Sequence, residues 1–264
     1  MAEISDAGEG RKDLSRAPDL SDPTHLAVVA NLASDIRFMS ASLDKARGNG
    51  AFFITTALLS AAEYLGDILD TSGWYDRATV RLFDILDSEV QADGFEVEQV
   101  PMYHGQVMLV LLEYLSVLQA NDRPVSEKLR STIDLMLTAL CRLGDPQGYI
   151  PPIGDSDRFT ISYLTNFYSA VTGDTAGCAK LPGAAPDQAS REGPGCQLTT
   201  LKDAGWSIVR WNYSRDRQGY LFFDCSGKPA DGKNYHSHAD DLQFLLHTSD
   251  GPVFTDPGRF SYCR

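Results

Sequence analysis

Leu181-Pro182-Gly183-Ala184-Ala185-Pro186, followed shortly by Glu192-Gly193-Pro194-Gly195, is the stretch on which the fold turns. Proline and glycine at this density remove amide donors and widen backbone freedom, so neither a helix nor a strand ladder propagates through it. The chain on either side has a different period. Upstream, apolar residues recur at three- and four-residue spacing over residues 25–43, 51–69, 75–91, 102–119, 125–143 and 160–171, the signature of successive helices. The breaks carry helix punctuation: Ser21 and Asp22 before Pro23, Gly48 with Gly50, Gly73, Asp93 with Gly94, and Asp122 near Pro124. Helices of this length on short connections pack as antiparallel pairs, the repeating unit of helical toroids. Downstream, short β-type runs cover 206–213, 218–225, 242–248 and 252–255, with turns at Gly227, Asp231-Gly232, Asp250-Gly251 and Pro257-Gly258. The expectation is an α+β multidomain chain. Residues 1–21 would be a flexible N-terminal segment, 22–172 an α/α helical array, 173–204 a linker, and 205–264 the start of an antiparallel β-sandwich. About four strands leave a sandwich face and its edges uncovered, so the chain reads as part of a longer protein.

The chain has 264 residues, of which 43% are apolar and 22% charged, enough to bury a substantial core. Lys plus Arg total 23 against 36 Asp plus Glu, a net charge of −13, which argues against coating nucleic acid or anionic lipid. The five cysteines lie far apart without a C-x-x-C pair, so they show neither a zinc knuckle nor a redox motif. The first residues are polar and acid-rich, with no apolar core of a secretory signal, and no run of about 18 apolar residues suggests a membrane span. The default compartment is cytoplasmic, or periplasmic or secreted if a leader has been removed. Self-association into a homo-oligomer is left open.

Chemistry-bearing residues concentrate in three stretches. In Asn234-Tyr235-His236-Ser237-His238-Ala239-Asp240-Asp241-Leu242-Gln243-Phe244, histidines at i and i+2 of an extended segment project to one side and can converge on one ion or substrate. A bare His-x-His is as often a surface feature, but Asp240 and Asp256, in Phe254-Thr255-Asp256-Pro257-Gly258, add carboxylates suited to zinc. Asp93-Gly94-Phe95-Glu96-Val97-Glu98-Gln99-Val100-Pro101-Met102-Tyr103-His104 sets Glu98, Tyr103 and His104 at a helix entrance, where His104 could equally be satisfied by backbone. Gly154-Asp155-Ser156-Asp157-Arg158 reads either as a polar loop at a cleft or as a capped turn.

Taken in order, these stretches resemble the heparinase II/III-like polysaccharide lyases. Gly48-Asn49, Trp74, Asp93-Gly94 to Tyr103-His104, Gly154-Asp155-Ser156-Asp157, Asp203-Ala204-Gly205-Trp206 and His-x-His-Ala-Asp-x-Leu-x-Phe to Asp-Pro-Gly carry the likeness. It implies an incomplete α/α toroid followed by a β-sandwich, and cleavage of an acidic, uronate-containing glycan by β-elimination. It implies Asn49 on the uronate carboxylate, Tyr103 and His236 as the proton-transfer pair, and His238 with Asp256 as ligands of a structural zinc whose remaining ligand lies beyond Arg264. Tyr149 and Tyr163 are the weaker tyrosine candidates. His104, Glu98, Arg158 and Asn234 are the substrate-binding candidates. Gly50 departs from the family, which commonly has histidine there, and this keeps a non-catalytic glycan-binding or assembly protein as the alternative. A toroid glycoside hydrolase using Glu96 and Glu98 is the less favoured one.

Overall fold

The computed structural model describes residues 22–66, 70–175, 195–214, 217–227, 236, 238 and 241–259. The expected N-terminal segment 1–21 lies outside them, as do Asn234, Tyr235 and Asp240. Six helices come first: α1 (Pro23–Ser42), α2 (Gly48–Leu65), α3 (Ser72–Ser88), α4 (Pro101–Ala120), α5 (Glu127–Leu143) and α6 (Ile161–Thr172). An antiparallel meander of β1 (Cys196–Leu201), β2 (Trp206–Ser214), β3 (Arg217–Asp224), β4 (Phe244–Thr248) and β5 (Gly251–Phe254) follows in that spatial order. The expected order of a helical array and then an antiparallel sheet is what forms. One difference is that β1, paired with β2 from Cys196↔Trp211 to Leu201↔Trp206, falls inside the stretch expected as a linker to 204. Its Gln-Leu-Thr-Thr run is too short and too exposed to show a period.

Local chemistry sets the helix ends. Asp22 caps α1 by accepting from Thr24 N at 2.7 Å, with Pro23 in the first turn. Ser126 caps α5 through Leu129 N at 3.1 Å, and Gly173 at φ 74° ends α6 in the left-handed region. The central helix is α4, apolar on most of its circumference, with Val107, Met108, Leu111, Leu112 and Leu115 fully buried. It packs on α2, α5 and α6, while α2 also meets α1 and α3.

The sheet docks on the ends of these helices. Trp206, Ile208, Tyr220, Phe222 and Leu245 join the helical side chains in one core. Trp206 stands edge-on to Phe95 at 4.5 Å between ring centroids. The last carbonyls of α5, which have no partner within the helix, are met from the sheet: Arg210 Nη2 donates to Arg142 O at 2.6 Å and Gly144 O at 2.8 Å, and the Tyr220 hydroxyl donates to Leu143 O at 2.7 Å. Asp93 accepts from the amides of Asp203 and Ala204 in the β1–β2 turn. Among the described residues no helix is long and apolar enough to cross a membrane.

Candidate active site

The starts of α2 and α4, the loop between α5 and α6, and the loop between β3 and β4 meet at one place. Gly48 opens α2 at φ 55°, and a Cβ there would lie 1.9 Å from Glu98 Oε1, so only glycine admits the carboxylate. The backbone N–H of Asn49 then donates to that oxygen at 3.2 Å, which leaves the Asn49 side chain half-buried at the helix entrance. Gln99, a non-glycine residue at φ 57°, turns the chain into α4 immediately after Glu98.

Tyr103 stands in the first turn of α4, where Ser156 Oγ accepts from Met102 N at 3.0 Å and so caps the helix from a distant loop. Its ring lies against His236, with centroids 4.4 Å apart and planes tilted by 57°. On its other side, His236 Nδ1 is 2.9 Å from Asp155 Oδ2, and His238 Nε2 is 2.9 Å from Asp155 Oδ1. The Asp155 amide also donates to His236 O at 3.0 Å. Burial alone would raise the Asp155 pKa, but the hydrogen bonds from both imidazoles outweigh it and hold the carboxyl below its ordinary value. Glu98 is shifted the other way. Burial raises it, and the Asn49 amide and nearby His236 offset that only in part. Its neighbour Glu96 is fully buried and pushed well above the usual carboxylate range by burial and by the charge of Glu98.

Tyr103 and His236 are thus in contact, and Asn49 is tied to them through Glu98. His104, expected to reach substrate, does not reach the cleft: it is fully buried, stacked on Phe95 at 4.2 Å. Its Nε2 donates to Met136 O at 3.0 Å and its Nδ1 accepts from Glu96 N at 3.3 Å, while burial lowers its pKa to about 4. It holds the Glu96–Glu98 turn in shape. Arg158, also expected on substrate, is committed to Asp145 Oδ2 at 3.1 Å and lies over the Tyr149 ring at 3.7 Å. That contact occupies Tyr149, and Tyr163 is mostly exposed on α6, so neither replaces Tyr103 beside His236.

The expected metal donors, His238 and Asp256, each have a hydrogen-bond partner within the fold. Asp256 accepts from Gln243 Nε2 at 2.5 Å and Gly258 N at 2.6 Å, His238 is turned to Asp155, and His247 is buried against Asp145. Among the described residues no group of three or more His, Cys, Asp or Glu could hold a metal ion. A structural zinc normally takes about four ligands, and His238 and Asp256 are the two that the resemblance implies within the described residues. Two features escaped the sequence reading. The loop of Asp155 was left open between a polar cleft loop and a capped turn, and nothing in it showed that Asp155 faces imidazoles from a loop 81 and 83 positions away. The second is the buried Asp145–His247 pair, whose partners are 102 positions apart and carry no local signal.

A model of the heparinase II/III N-terminus matches residues 12–173, and one of the heparinase II/III-like C-terminal region matches residues 194–264. The chain belongs to the heparinase II/III-like family. This is a polysaccharide lyase family, which supports the lyase reading at the level of the family. Solved structures repeat the fold. A "Heparinase III" is 16% identical with a TM-score of 0.72, over 87% of this chain and 38% of that one. A heparan sulfate lyase HepC mutant from Pedobacter heparinus is 20% identical with a TM-score of 0.66, over 92% and 38%. A heparinase III described as the BT4657 gene product is 17% identical with a TM-score of 0.67, over 93% and 39%. No curated protein matches the chain. The heparinase II/III-like chain described here therefore spans well under half the length of those structures.

Proposed function

We propose that this heparinase II/III-like chain carries the active site of a lyase that cuts an acidic, uronate-containing glycan by β-elimination. The observation that carries the reading is the contact between Tyr103 on the helical side and His236 on the sheet side, beside the start of α2 that bears Asn49. In the reaction a base takes the C5 proton of the uronate, the C4–O bond breaks as a C4=C5 double bond forms, and the departing oxygen receives a proton. Tyr103 and His236 are close enough to serve the same linkage as base and acid. The Asn49 carboxamide, at a helix N-terminus whose partial positive charge favours anions, would donate to the uronate carboxylate onto which charge spreads in the transition state. Glu98 fixes the Asn49 backbone rather than the sugar.

The test is turnover of a panel of acidic polysaccharides, heparan sulfate, heparin, hyaluronan and alginate among them, followed by ultraviolet absorbance. The new double bond is conjugated with the uronate carboxylate, so elimination creates absorbance and hydrolysis does not. Absorbance that rises with wild type and is lost in Tyr103→Phe supports the lyase. Glycan binding without absorbance favours the non-catalytic reading, which rests on Gly50. Reducing ends without absorbance would favour a hydrolase.

A further inference from the structure

We propose that Asp155 is the positioning residue of the candidate site, holding His236 in the tautomer and orientation that proton transfer requires. The inference rests on the lyase reading for its consequence, but its geometry stands alone. An ionised carboxylate only accepts hydrogen bonds, so the His236 nitrogen that faces it, Nδ1 at 2.9 Å from Oδ2, carries a proton. His236 is then the Nδ1–H form, with the ring's acceptor lone pair on Nε2. An unrestrained imidazole exchanges between both forms and both ring flips, which spreads the reactive nitrogen over several directions.

The geometry makes Asp155 a clasp between two parts of the chain. It sits on the loop between α5 and α6, whereas His236 sits between β3 and β4. The approach is fixed at the backbone as well, since Asp155 N donates to His236 O at 3.0 Å. Gly154 makes this possible: it is at φ 56°, and a Cβ on it would stand 2.8 Å from His236 O. Ser156, next in line, caps α4 one residue before Tyr103. One short loop therefore sets both members of the proton-transfer pair, the tyrosine through its helix and the histidine through its ring nitrogen.

The experiment combines spectroscopy and kinetics on the full chain. Long-range proton–nitrogen correlation spectra at about pH 8 read the tautomer of His236 in wild type, Asp155→Asn and Asp155→Ala, with the signal assigned by its loss in His236→Gln. Wild type is expected to show the Nδ1–H form and Asp155→Ala a mixture richer in Nε2–H. On a substrate that wild type cleaves, Asp155→Ala is expected to lower kcat by about tenfold or more with KM within about twofold, because an orienting carboxylate acts on the transition state. Asp155→Asn keeps one acceptor oxygen and should lie between the two in both readouts. A His236 that is Nε2–H in wild type, or a tautomer unchanged in Asp155→Ala, overturns the proposal, and the wild-type spectrum decides even if the alanine variant does not fold. Absence of turnover by wild type on every glycan would sink the lyase reading instead and leave the tautomer result standing.

Discussion

At the residue scale, Tyr103 and Glu96 separate chemistry from packing. Tyr103 is half-buried and meets His236 ring to ring, so removing its hydroxyl should cost reaction rate far more than stability. Tyr103→Phe is expected to lower kcat by about 10²–10⁴ while the melting temperature moves little, a pair of results that calorimetry and the absorbance assay read directly. Glu96 is the opposite case. Its carboxyl is raised above its ordinary value by burial first and by Glu98 second, so the folded state holds a proton that the unfolded state releases near its own pKa of about 4.3. Stability from this residue is therefore fully present below that value and is lost as pH rises towards the folded pKa. Glu96→Gln keeps the neutral shape at every pH, and should melt higher than wild type at pH 8 with the gap closing by about pH 4. A gap that is constant with pH would mean that Glu96 is ionised in the fold. Tyr103 and His236 were singled out in the sequence by the family resemblance, through its Tyr-His and His-x-His patterns. For His104 the sequence left a backbone partner open but not which one: the Met136 carbonyl is 32 positions away, and no periodicity encodes a contact that tertiary folding creates.

At the element scale, helix ends do the positioning. The start of α2 works only because Gly48 lets Glu98 approach, and Gly48→Ala would combine a left-handed backbone, costing about 1–2 kcal/mol, with a Cβ placed 1.9 Å from Glu98 Oε1. We expect a fall in melting temperature together with a loss of turnover, because Asn49 shifts with its helix. Gly50→Ala is the control, since nothing lies within 4 Å of a Cβ there and its φ needs no glycine; it should leave the melting temperature unchanged or slightly higher, as alanine favours helix. The sequence located these helices well where a long three-to-four period ran between glycine and proline breaks, as in α4 and α5. It missed β1 because Cys196–Leu201 is nearly all exposed and owes its conformation to pairing with β2. A strand defined by its neighbour has no pattern of its own to read.

At the scale of the whole molecule, the helices and the sheet share one core, and a polar junction fixes how they meet. Asp145 is its centre: Oδ1 accepts from Gln147 N and Tyr149 N at 2.9 Å each, while Oδ2 faces His247 Nδ1 at 3.0 Å and Arg158 Nη2 at 3.1 Å. The side chains of Asp145 and His247 are each only 2% exposed, so water cannot replace a lost partner. His247 lies on β4, and the β3–β4 loop leading into that strand carries His236 and His238, so the Asp145–His247 junction links the strand after this loop to the end of α5. Leu198, Phe244, Val253 and Phe254 of the sheet are exposed. Removing one member of a buried pair leaves the other uncompensated and typically costs about 3–5 kcal/mol, here at the lower end since Arg158 is 38% exposed on its side chain and can turn to solvent. Asp145→Ala should therefore lose about 3 kcal/mol in urea unfolding at pH 7, and Asp145→Asn less, because an amide oxygen still accepts from the loop amides. Burial pulls the Asp145 carboxyl up, but His247, the Tyr149 amide and Arg158 together hold it below its ordinary value. Its contribution is therefore present above the unfolded value of about 3.9 and lost as pH falls through the lower folded value. The wild-type advantage over Asp145→Asn should be constant from pH 7 to about pH 5 and shrink below about pH 4. An advantage that persists undiminished at pH 3 would show that Asp145 acts at the junction through contacts that do not depend on its charge.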